Sequence, residues 1–295
     1  MSKADSIKAR LKNLAIKEGK QFDYYLMLYF IERLLYRLSI SKYSDVFILK
    51  GGLFLYTILD ENARATKDVD MLAKEISNQL DSIKGIFLEI SSIDVDDGVK
   101  FINDSIEVER IKEDADYEGV RVKLLAKLDN TKKILQLDIG FGDVIVPEAK
   151  EIEYPSLLKM EKTKVKAYSV ESVIAEKFEA MVYLGEFNSR MKDFYDIYSL
   201  SKKFDFDGPV LQKAIVATFK KRGVSLNQKP HIFTTAFINS VDKKRQWESF
   251  KKRIKFQSEV DFETVMKSIV SFLEPVIEQI DLFEKCWSYS DQKWK

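Results

Sequence analysis

The stretch from Lys50 to Asp70, KGGLFLYTILDENARATKDVD, constrains the fold more than any other part of the chain. An apolar run, Val46 to Leu49, leads into the pair Gly51-Gly52, and a polar spacer then leads to Asp68-Val69-Asp70. This order predicts a buried strand, a glycine turn into a helix over Leu53–Leu59, and a second strand. In that second strand the two aspartates point to one side and the valine faces a core.

The two aspartates and the glycine pair suit a site for a metal ion and a phosphate. Two carboxylates on one side of a strand repel each other unless a cation lies between them. A hard divalent ion, Mg²⁺ or Mn²⁺, bound by Asp68, Asp70 and substrate phosphates meets that need. Gly51 and Gly52 lack a Cβ, so backbone N–H groups at a helix start can approach a phosphate. The alternative is a β-turn with a solvated acidic strand, and the glycine turn upstream favours the metal site.

Composition limits the chemistry to carboxylates, lysines, arginines and bound metal. The chain has 295 residues, with Cys286 as its single cysteine and His231 as its single histidine. A disulfide framework, a cysteine zinc site and a histidine relay are therefore poor interpretations. No apolar run approaches the length of a membrane span, and the start MSKADSIKAR lacks a signal-peptide core. We expect a cytoplasmic protein without membrane partners.

The pattern of apolar residues changes along the chain. Residues 1–40 follow a helical period, a further helix is predicted over Ile76–Ile90, and four segments between Val99 and Gly140 alternate at period two. Residues after Tyr168 are again helical. We predict an α+β (α/β) fold: a core with a mixed sheet and N-terminal helices over residues 1–168, then a helical domain over residues 169–295. The second domain is expected to contribute to the active site and to carry a basic surface.

Asp138 is a third candidate carboxylate, and it lies within an apolar strand segment. It lies in the segment Leu135-Gln-Leu-Asp-Ile139, whose three apolar residues share one face and leave Asp138 on the other. An aspartate within an apolar strand is costly unless it is paired, hydrogen-bonded or bound to metal. It would complete a carboxylate set for two-metal phosphoryl transfer, or assist deprotonation of an attacking hydroxyl. On an edge strand it would simply face solvent.

Two predicted helices after residue 168 carry charged residues that need partners or can pair with each other. Ser169 is a suitable N-cap, and Lys177 lies inside the apolar stripe of the helix that follows. A lysine on a buried face needs an anionic partner, for which a phosphate is suitable, or it must extend to solvent. In the next helix Arg190 and Asp193 are three positions apart, so they can form an intrahelical pair.

Residues 213–255 contain twelve lysines and arginines but only two acidic residues. Aromatic residues are interleaved with these cations: Phe219, Phe233, Phe237, Trp247 and Phe250. Cations neutralise phosphates and aromatic rings stack on unpaired bases, so the region is a candidate RNA surface. Amphipathic helices with solvated lysines and aromatic cores would produce the same pattern.

Taken in order, these segments resemble the nucleotidyltransferase toxins of the AbiEii/AbiGii family, the toxin half of type IV-like toxin–antitoxin and phage-defence systems. The matching pieces are Lys50-Gly51-Gly52, Arg64 to Asp70, Asp138, Glu176-Lys177 and Arg190 to Asp196. The resemblance implies a polymerase-β-like nucleotidyltransferase core followed by helices. It also implies NTP as substrate and a cognate antitoxin protein as partner.

The resemblance also implies roles for individual residues. Asp68 and Asp70 would hold Mg²⁺, with Asp138 as a further metal ligand or base; Lys177 would contact the triphosphate and Asp193 would complete the site. The further candidates for contact with the nucleotide are Gly51, Gly52, Arg64, Thr66 and Arg190. Leu53 stands where the wider superfamily usually has a serine, so backbone N–H groups would have to make the phosphate contact.

The sequence-based hypothesis is a metal-dependent enzyme that transfers NMP from an NTP to an acceptor. RNA is the first acceptor to test, and the 3′ end of tRNA is the specific candidate. A protein hydroxyl is another candidate acceptor. Two alternatives stay open. One is a non-catalytic nucleotidyltransferase fold that binds nucleic acid or protein, against which the intact carboxylate set argues. The other is a metal-dependent nuclease that uses the same carboxylates.

Overall fold

The computed structural model describes residues 2–59, 63–113, 117–226, 229–256, 259–278 and 284–295. The chain forms two compact units, each built from separate segments. The first unit comprises Met1–Thr57, Ala65–Gly142 and Lys150–Ala167, and the second comprises Ile58–Arg64, Asp143–Ala149 and Tyr168–Lys295. Within the described residues, no helix has the length and apolar character needed to cross a membrane.

Up to Ala167 the chain contains four helices and seven strands within the described residues. In order they are α1 (Lys3–Lys17), α2 (Phe22–Ser39), β1 (Phe47–Lys50), α3 (Gly51–Leu59), β2 (Val69–Ala73), α4 (Leu80–Ser91), β3 (Val99–Glu113), β4 (Tyr117–Leu128), β5 (Thr131–Phe141), β6 (Lys150–Tyr154) and β7 (Thr163–Ala167). The strands form one sheet in the order β3-β4-β5-β2-β1-β7-β6. The pairs β1–β7 and β2–β5 are parallel and the other pairs are antiparallel, so the predicted mixed sheet is confirmed.

The observed bounds of α3, α4 and β3 differ from those predicted from the sequence. Helix α3 begins at Gly51, earlier than predicted, and α4 begins at Leu80, later than predicted, because Gln79 has an extended backbone and forms the N-cap. The two strands predicted between Val99 and Ile111 are one strand, β3, with an irregular register between Ile102 and Glu107. At this irregularity the Ser105 hydroxyl accepts a hydrogen bond from the Leu125 amide at 2.9 Å, so a side chain replaces a backbone partner.

A buried ionic cluster ties α2 to the chain before β3. Asp97 accepts hydrogen bonds from Arg33 Nε at 2.9 Å and from Arg37 Nη1 at 2.6 Å. The Val99 amide donates to the same carboxylate at 2.9 Å. All three charged side chains are almost fully buried, so Asp97 compensates two arginines that have no access to bulk water.

We expect Asp97→Ala to lower the free energy of unfolding by about 3–5 kcal/mol, because it leaves two buried guanidinium groups without their carboxylate. Urea denaturation followed by circular dichroism measures the change. The neighbouring Asp96→Ala is the control, since Asp96 is 94% exposed and pairs with Lys3 at the surface. Equal effects of the two substitutions would contradict a structural role for the cluster.

The chain after Ala167 is mainly helical, as predicted, with a small sheet. Its elements are α5 (Val170–Leu184), α6 (Met191–Ser201), β8 (Phe206–Asp207), α7 (Gly208–Lys221), α8 (Thr235–Ile238), α9 (Val241–Ile254), α10 (Phe262–Glu278), β9 (Cys286–Ser288) and β10 (Lys293–Trp294), with short 3₁₀ turns at Gly185–Phe187 and His231–Phe233. The three strands form a sheet in the order β10-β9-β8. The sequence analysis did not predict them, because strands of two or three residues are too short to show a period of two.

Candidate active site

The glycine turn lies between β1 and α3 in the first unit. Strand β1 is buried throughout, and Gly51 follows it with a positive φ of 64°. Strand β2 pairs antiparallel with β1 and places Asp70 opposite Lys50. A Cβ added to Gly51 would lie 2.7 Å from Asp70 Cγ, closer than real Cβ atoms come to another atom. The absence of a side chain at Gly51 is therefore what allows the Asp70 carboxylate to lie against the start of α3.

Gly51→Ala is expected to displace the Asp70 carboxylate and to reduce nucleotidyl transfer at least tenfold, in addition to the cost of a non-glycine residue at positive φ. The matched control is Gly19→Ala in the same unit. Gly19 has a φ of 62° but nothing within 4 Å of an added Cβ. Both variants should lose stability in thermal denaturation from the positive φ, Gly51→Ala should lose more because of its clash with Asp70, and only Gly51→Ala should lose transfer. Equal activities would show that the close approach has no functional consequence.

Asp70 and Asp138 lie side by side on neighbouring strands. Strands β2 and β5 are parallel, and their register pairs Asp70 with Asp138, so the two side chains project from one face of the sheet. Asp68 precedes β2 and is exposed, whereas the other two aspartates are half-buried. Strand β5 lies between β4 and β2. The alternative that Asp138 is an edge-strand residue is therefore wrong.

Arg121 is a residue that the sequence analysis missed. It lies opposite Asp138 on β4 and donates from Nε to Asp138 Oδ1 at 2.7 Å and from Nη2 to Oδ2 at 2.8 Å. This bidentate geometry is the strong form of the arginine–carboxylate pair. Hydrogen bonding to Asp138 raises the pKa of the Arg121 guanidinium above its ordinary value. Period-two alternation in the sequence indicates which face of β4 Arg121 lies on. It does not indicate which residue of β5 lies opposite Arg121, because that depends on the register between the two strands.

The carboxylates fit a divalent metal in part. Among the described residues, no group of three or more histidine, cysteine, aspartate or glutamate side chains is arranged to hold a metal ion. Asp68 and Asp70 provide carboxylate oxygens, the donors that Mg²⁺ and Mn²⁺ prefer. Asp138 is paired with Arg121 and would have to share its oxygens. The metal would therefore be held mainly by Asp68 and Asp70, and Asp138 could contribute only an oxygen that it shares with Arg121.

The second unit contains a compact cluster of charges around α5 and α6. Lys177 Nζ lies 2.9 Å from Asp193 Oδ1 and 2.7 Å from Asp196 Oδ2. Arg64 forms a bidentate pair with Asp196, at 3.0 Å from Nε to Oδ1 and 3.1 Å from Nη2 to Oδ2. Arg190 Nε lies 2.8 Å from Asp193 Oδ2; the two residues have the three-residue spacing considered from the sequence, but Arg190 is the N-cap of α6 and not inside it. The Lys177 side chain is only 11% exposed, so it does not extend to solvent.

Electrostatics keep this cluster charged. Burial lowers the pKa of the Lys177 ammonium, but the Asp193 and Asp196 carboxylates outweigh burial and hold it above its ordinary value. Burial raises the pKa of Asp193, but Lys177 and Arg190 outweigh it and hold it below its ordinary value. With Arg64 included, three cations face two carboxylates. The ion pairs hold the Lys177 ammonium and the Arg64 guanidinium in fixed positions.

The site residues predicted from the sequence are divided between the two units. The first unit contains Gly51, Gly52, Thr66, Asp68, Asp70 and Asp138, and the second contains Arg64, Lys177, Arg190 and Asp193. Thr66 is half-buried, and its hydroxyl donates to the Asp68 carbonyl at 3.4 Å. Asp196 was part of a recognised motif without an assigned role, and the structure shows that it holds Arg64 and Lys177 together.

The basic region of residues 213–255 is partly internal. Lys243 is buried and donates to the carbonyls of Glu186 and Asn188 at 2.7 and 2.6 Å. Four of the interleaved aromatic residues are buried as well: Phe219, Phe237, Trp247 and Phe250. These rings form the helical core, so their predicted role in stacking on bases is wrong. The exposed cations of this region include Lys220, Lys221, Arg245, Lys252 and Arg253.

Comparison with known proteins identifies the class of enzyme. Residues 33–268 match the family described as nucleotidyl transferase AbiEii toxin, type IV TA system. The protein is therefore a nucleotidyl-transfer enzyme, and the predicted fold class agrees with this assignment. The chain belongs to the AbiEii toxin family, so the resemblance seen in the sequence is confirmed. Family membership implies an NTP substrate and an antitoxin partner.

Two solved structures are similar at low identity. One is a Helicobacter pylori protein provisionally described as a nucleotidyltransferase, with 14% identity and a TM-score of 0.46, covering 88% of this chain and 95% of that one. The other is JHP933 from Helicobacter pylori, with 15% identity and a TM-score of 0.39, covering 77% of this chain and 91% of that one. No curated protein matches the chain.

Proposed function

We propose that the protein transfers NMP from an NTP to RNA in a metal-dependent reaction, with the tRNA 3′ end as the first acceptor to test. The observation that carries the proposal is the register of Asp70 and Asp138 on adjacent strands, with Gly51 allowing Asp70 to lie against the start of α3. Carboxylates beside a helix N-terminus suit a phosphate and its counter-ion.

In the first unit, Asp68 and Asp70 would hold Mg²⁺ or Mn²⁺, which neutralises phosphate charge and favours ionisation of a nearby hydroxyl. Backbone N–H groups at Gly51 and Gly52 would meet phosphate oxygens. Arg121 keeps Asp138 oriented, and Asp138 would accept the proton of the attacking hydroxyl. The acceptor oxygen bonds to the α-phosphorus, the bond from that phosphorus to the bridging oxygen breaks, and pyrophosphate leaves.

In the second unit, Lys177 and Arg64 would bind the triphosphate and stabilise the charge that develops on the leaving pyrophosphate. Asp196 holds both cations at fixed positions, and Asp193 holds Lys177 together with Arg190. This proposal rests on the position of Lys177, whose side chain is only 11% exposed and whose ammonium lies between the Asp193 and Asp196 carboxylates. Its residues are pre-positioned by ion pairs, so little reorganisation is needed on binding.

The decisive experiment is to incubate the protein with total RNA, Mg²⁺ and each α-labelled NTP in turn. We expect one or more labels to enter RNA, and chelation by EDTA to stop the reaction. Shortened RNA without incorporated label would indicate a nuclease, and label on the protein would indicate a protein acceptor. Absence of Mg²⁺-dependent NTP binding would support a non-catalytic fold and refute the proposal.

A further inference from the structure

A cavity of about 240 Å³ lies within the second unit, between the start of α6 and one side of α9. Its lining is rich in groups that bind anions, and includes Ser189, Arg245, Gln246, Ser249, Phe250 and Arg253. Neither the family assignment nor the proposed catalytic residues use this cavity. Its two arginines make it a candidate site for a phosphate-bearing ligand.

The packing of α9 fixes the position of one wall of the cavity. Lys243, Trp247 and Phe250 form the inner face of α9 and are buried. The Lys243 ammonium bonds the carbonyls of Glu186 and Asn188, immediately before Ser189, so α9 is tied to the chain that leads into α6. The wall formed by α9 is therefore held by interior contacts rather than by surface side chains.

The cations of the cavity lie in one row. Arg245, Ser249 and Arg253 are four residues apart, which places them on one side of α9. The Arg253 guanidinium lies over the ring of buried Phe250, with its central carbon 5.6 Å from the ring centroid. A guanidinium that rests on an aromatic ring offers its other face for a base to stack on.

Arg245 is available to a ligand although it has a neighbour of opposite charge. Its Nη1 lies 3.3 Å from Asp242 Oδ1, but the two side chains are 74% and 77% exposed. Exposed pairs of this kind contribute little free energy, so a phosphate can replace the carboxylate at small cost. The hydroxyl of Ser189 and the amide of Gln246 can donate further hydrogen bonds, whereas the Ser249 hydroxyl donates to the Arg245 carbonyl at 3.0 Å.

We propose that this cavity binds one nucleotide of the acceptor RNA, with its phosphate on Arg245 and its base on Arg253. The inference rests on the proposed function and adds a site for the acceptor. Small-molecule pockets usually measure roughly 300–1,000 Å³, so a smaller cavity suits one unit of a polymer whose neighbours remain outside. An NTP carries the same phosphate chemistry, and the test separates the two sources.

The test compares three double variants in RNA binding, measured by fluorescence anisotropy, and in NTP binding, measured by calorimetry. Arg245→Ala with Arg253→Ala should raise the Kd for RNA by about tenfold to a hundredfold, the range expected for a lost stacking contact. Arg245→Lys with Arg253→Lys keeps the charge but loses the planar guanidinium groups, and should still weaken RNA binding several-fold. NTP affinity should not change in either variant.

The control is Lys220→Ala with Lys221→Ala, which removes the same charge from exposed residues at the end of α7. It should weaken RNA binding much less than the alanine pair in the cavity. Equal weakening by both pairs, or wild-type binding by the arginine-to-lysine pair, would indicate a diffuse basic surface and overturn the inference. A selective loss of NTP affinity would assign the cavity to the triphosphate and also overturn it.

Transfer assays keep this inference separate from the proposed function. If the wild-type protein labels RNA but the KM for RNA is unchanged in the double alanine variant of the cavity, the acceptor site is wrong and the proposed function stands. If the wild-type protein labels no RNA but binds it through Arg245 and Arg253, the proposed function is wrong and the binding site stands.

Discussion

Replacing Asp70 with asparagine is expected to lower the rate of nucleotidyl transfer by about a thousandfold or more while leaving the fold intact. A metal ion provides several kcal/mol of charge stabilisation in the transition state, and each 1.36 kcal/mol corresponds to about tenfold in rate. Asparagine keeps the shape of the side chain beside Gly51 but removes the negative charge. Single-turnover transfer of labelled NMP and circular dichroism measure the two properties.

The control for Asp70→Asn is Asp45→Asn, just before β1, because Asp45 is 82% exposed and should not affect transfer. Asp68→Ala should reproduce the loss seen with Asp70→Asn, since both carboxylates are assigned to the metal. Wild-type transfer by either variant would remove that carboxylate from the site. An unfolded Asp70→Asn protein would mean that the aspartate has a structural role, and the loss of activity would then carry no mechanistic meaning.

Lys177→Met is expected to lower the free energy of unfolding by about 3–5 kcal/mol, because it leaves two buried aspartates without their shared cation. Loss of activity in this variant would therefore be ambiguous. Lys177→Arg keeps the charge and should retain most of the stability, but its planar head cannot occupy the position of the ammonium. We expect its NTP affinity or turnover to fall at least tenfold. Lys202→Ala, an exposed change, should alter neither property.

The contribution of Lys177 and Asp193 to the free energy of unfolding should be lost only at low and at high pH. The pKa of Asp193 is lowered in the folded protein, so its contribution is complete above roughly pH 4 and is lost as the pH falls through its folded pKa. The pKa of Lys177 is raised, so its contribution is complete below roughly pH 10 and is lost above its folded pKa. The stability difference between the wild type and Lys177→Met should therefore be equal at pH 6 and pH 8.

Local patterns in the sequence were sufficient for part of this molecule. The glycine pair after an apolar strand and the alternation between Val99 and Gly140 led to the sheet and its neighbouring helices. The buried position of Lys177 was also visible, because helical periodicity places it among apolar residues. In each case the information lies within a few residues of the feature.

Features that depend on distant partners were not visible. Arg121 and Asp138 meet because of strand register, and Arg64 and Asp196 meet across 132 positions of the chain. Lys243 belongs to a run of cations that is indistinguishable from a solvated face until its carbonyl partners are known. Tertiary contacts determine these three outcomes, so no local pattern predicts them.

The distance in the chain between Arg64 and Asp196 also has a consequence for the order in which the protein can fold. Arg64 emerges from the ribosome long before Asp196, and domains generally fold as they are synthesised from the N-terminus. Closing a loop of this length costs entropy before any ion pair compensates for it. The charge cluster of the second unit can therefore assemble only after most of the chain has been made, so a nascent chain that stops before α6 lacks the assembled Lys177 cluster.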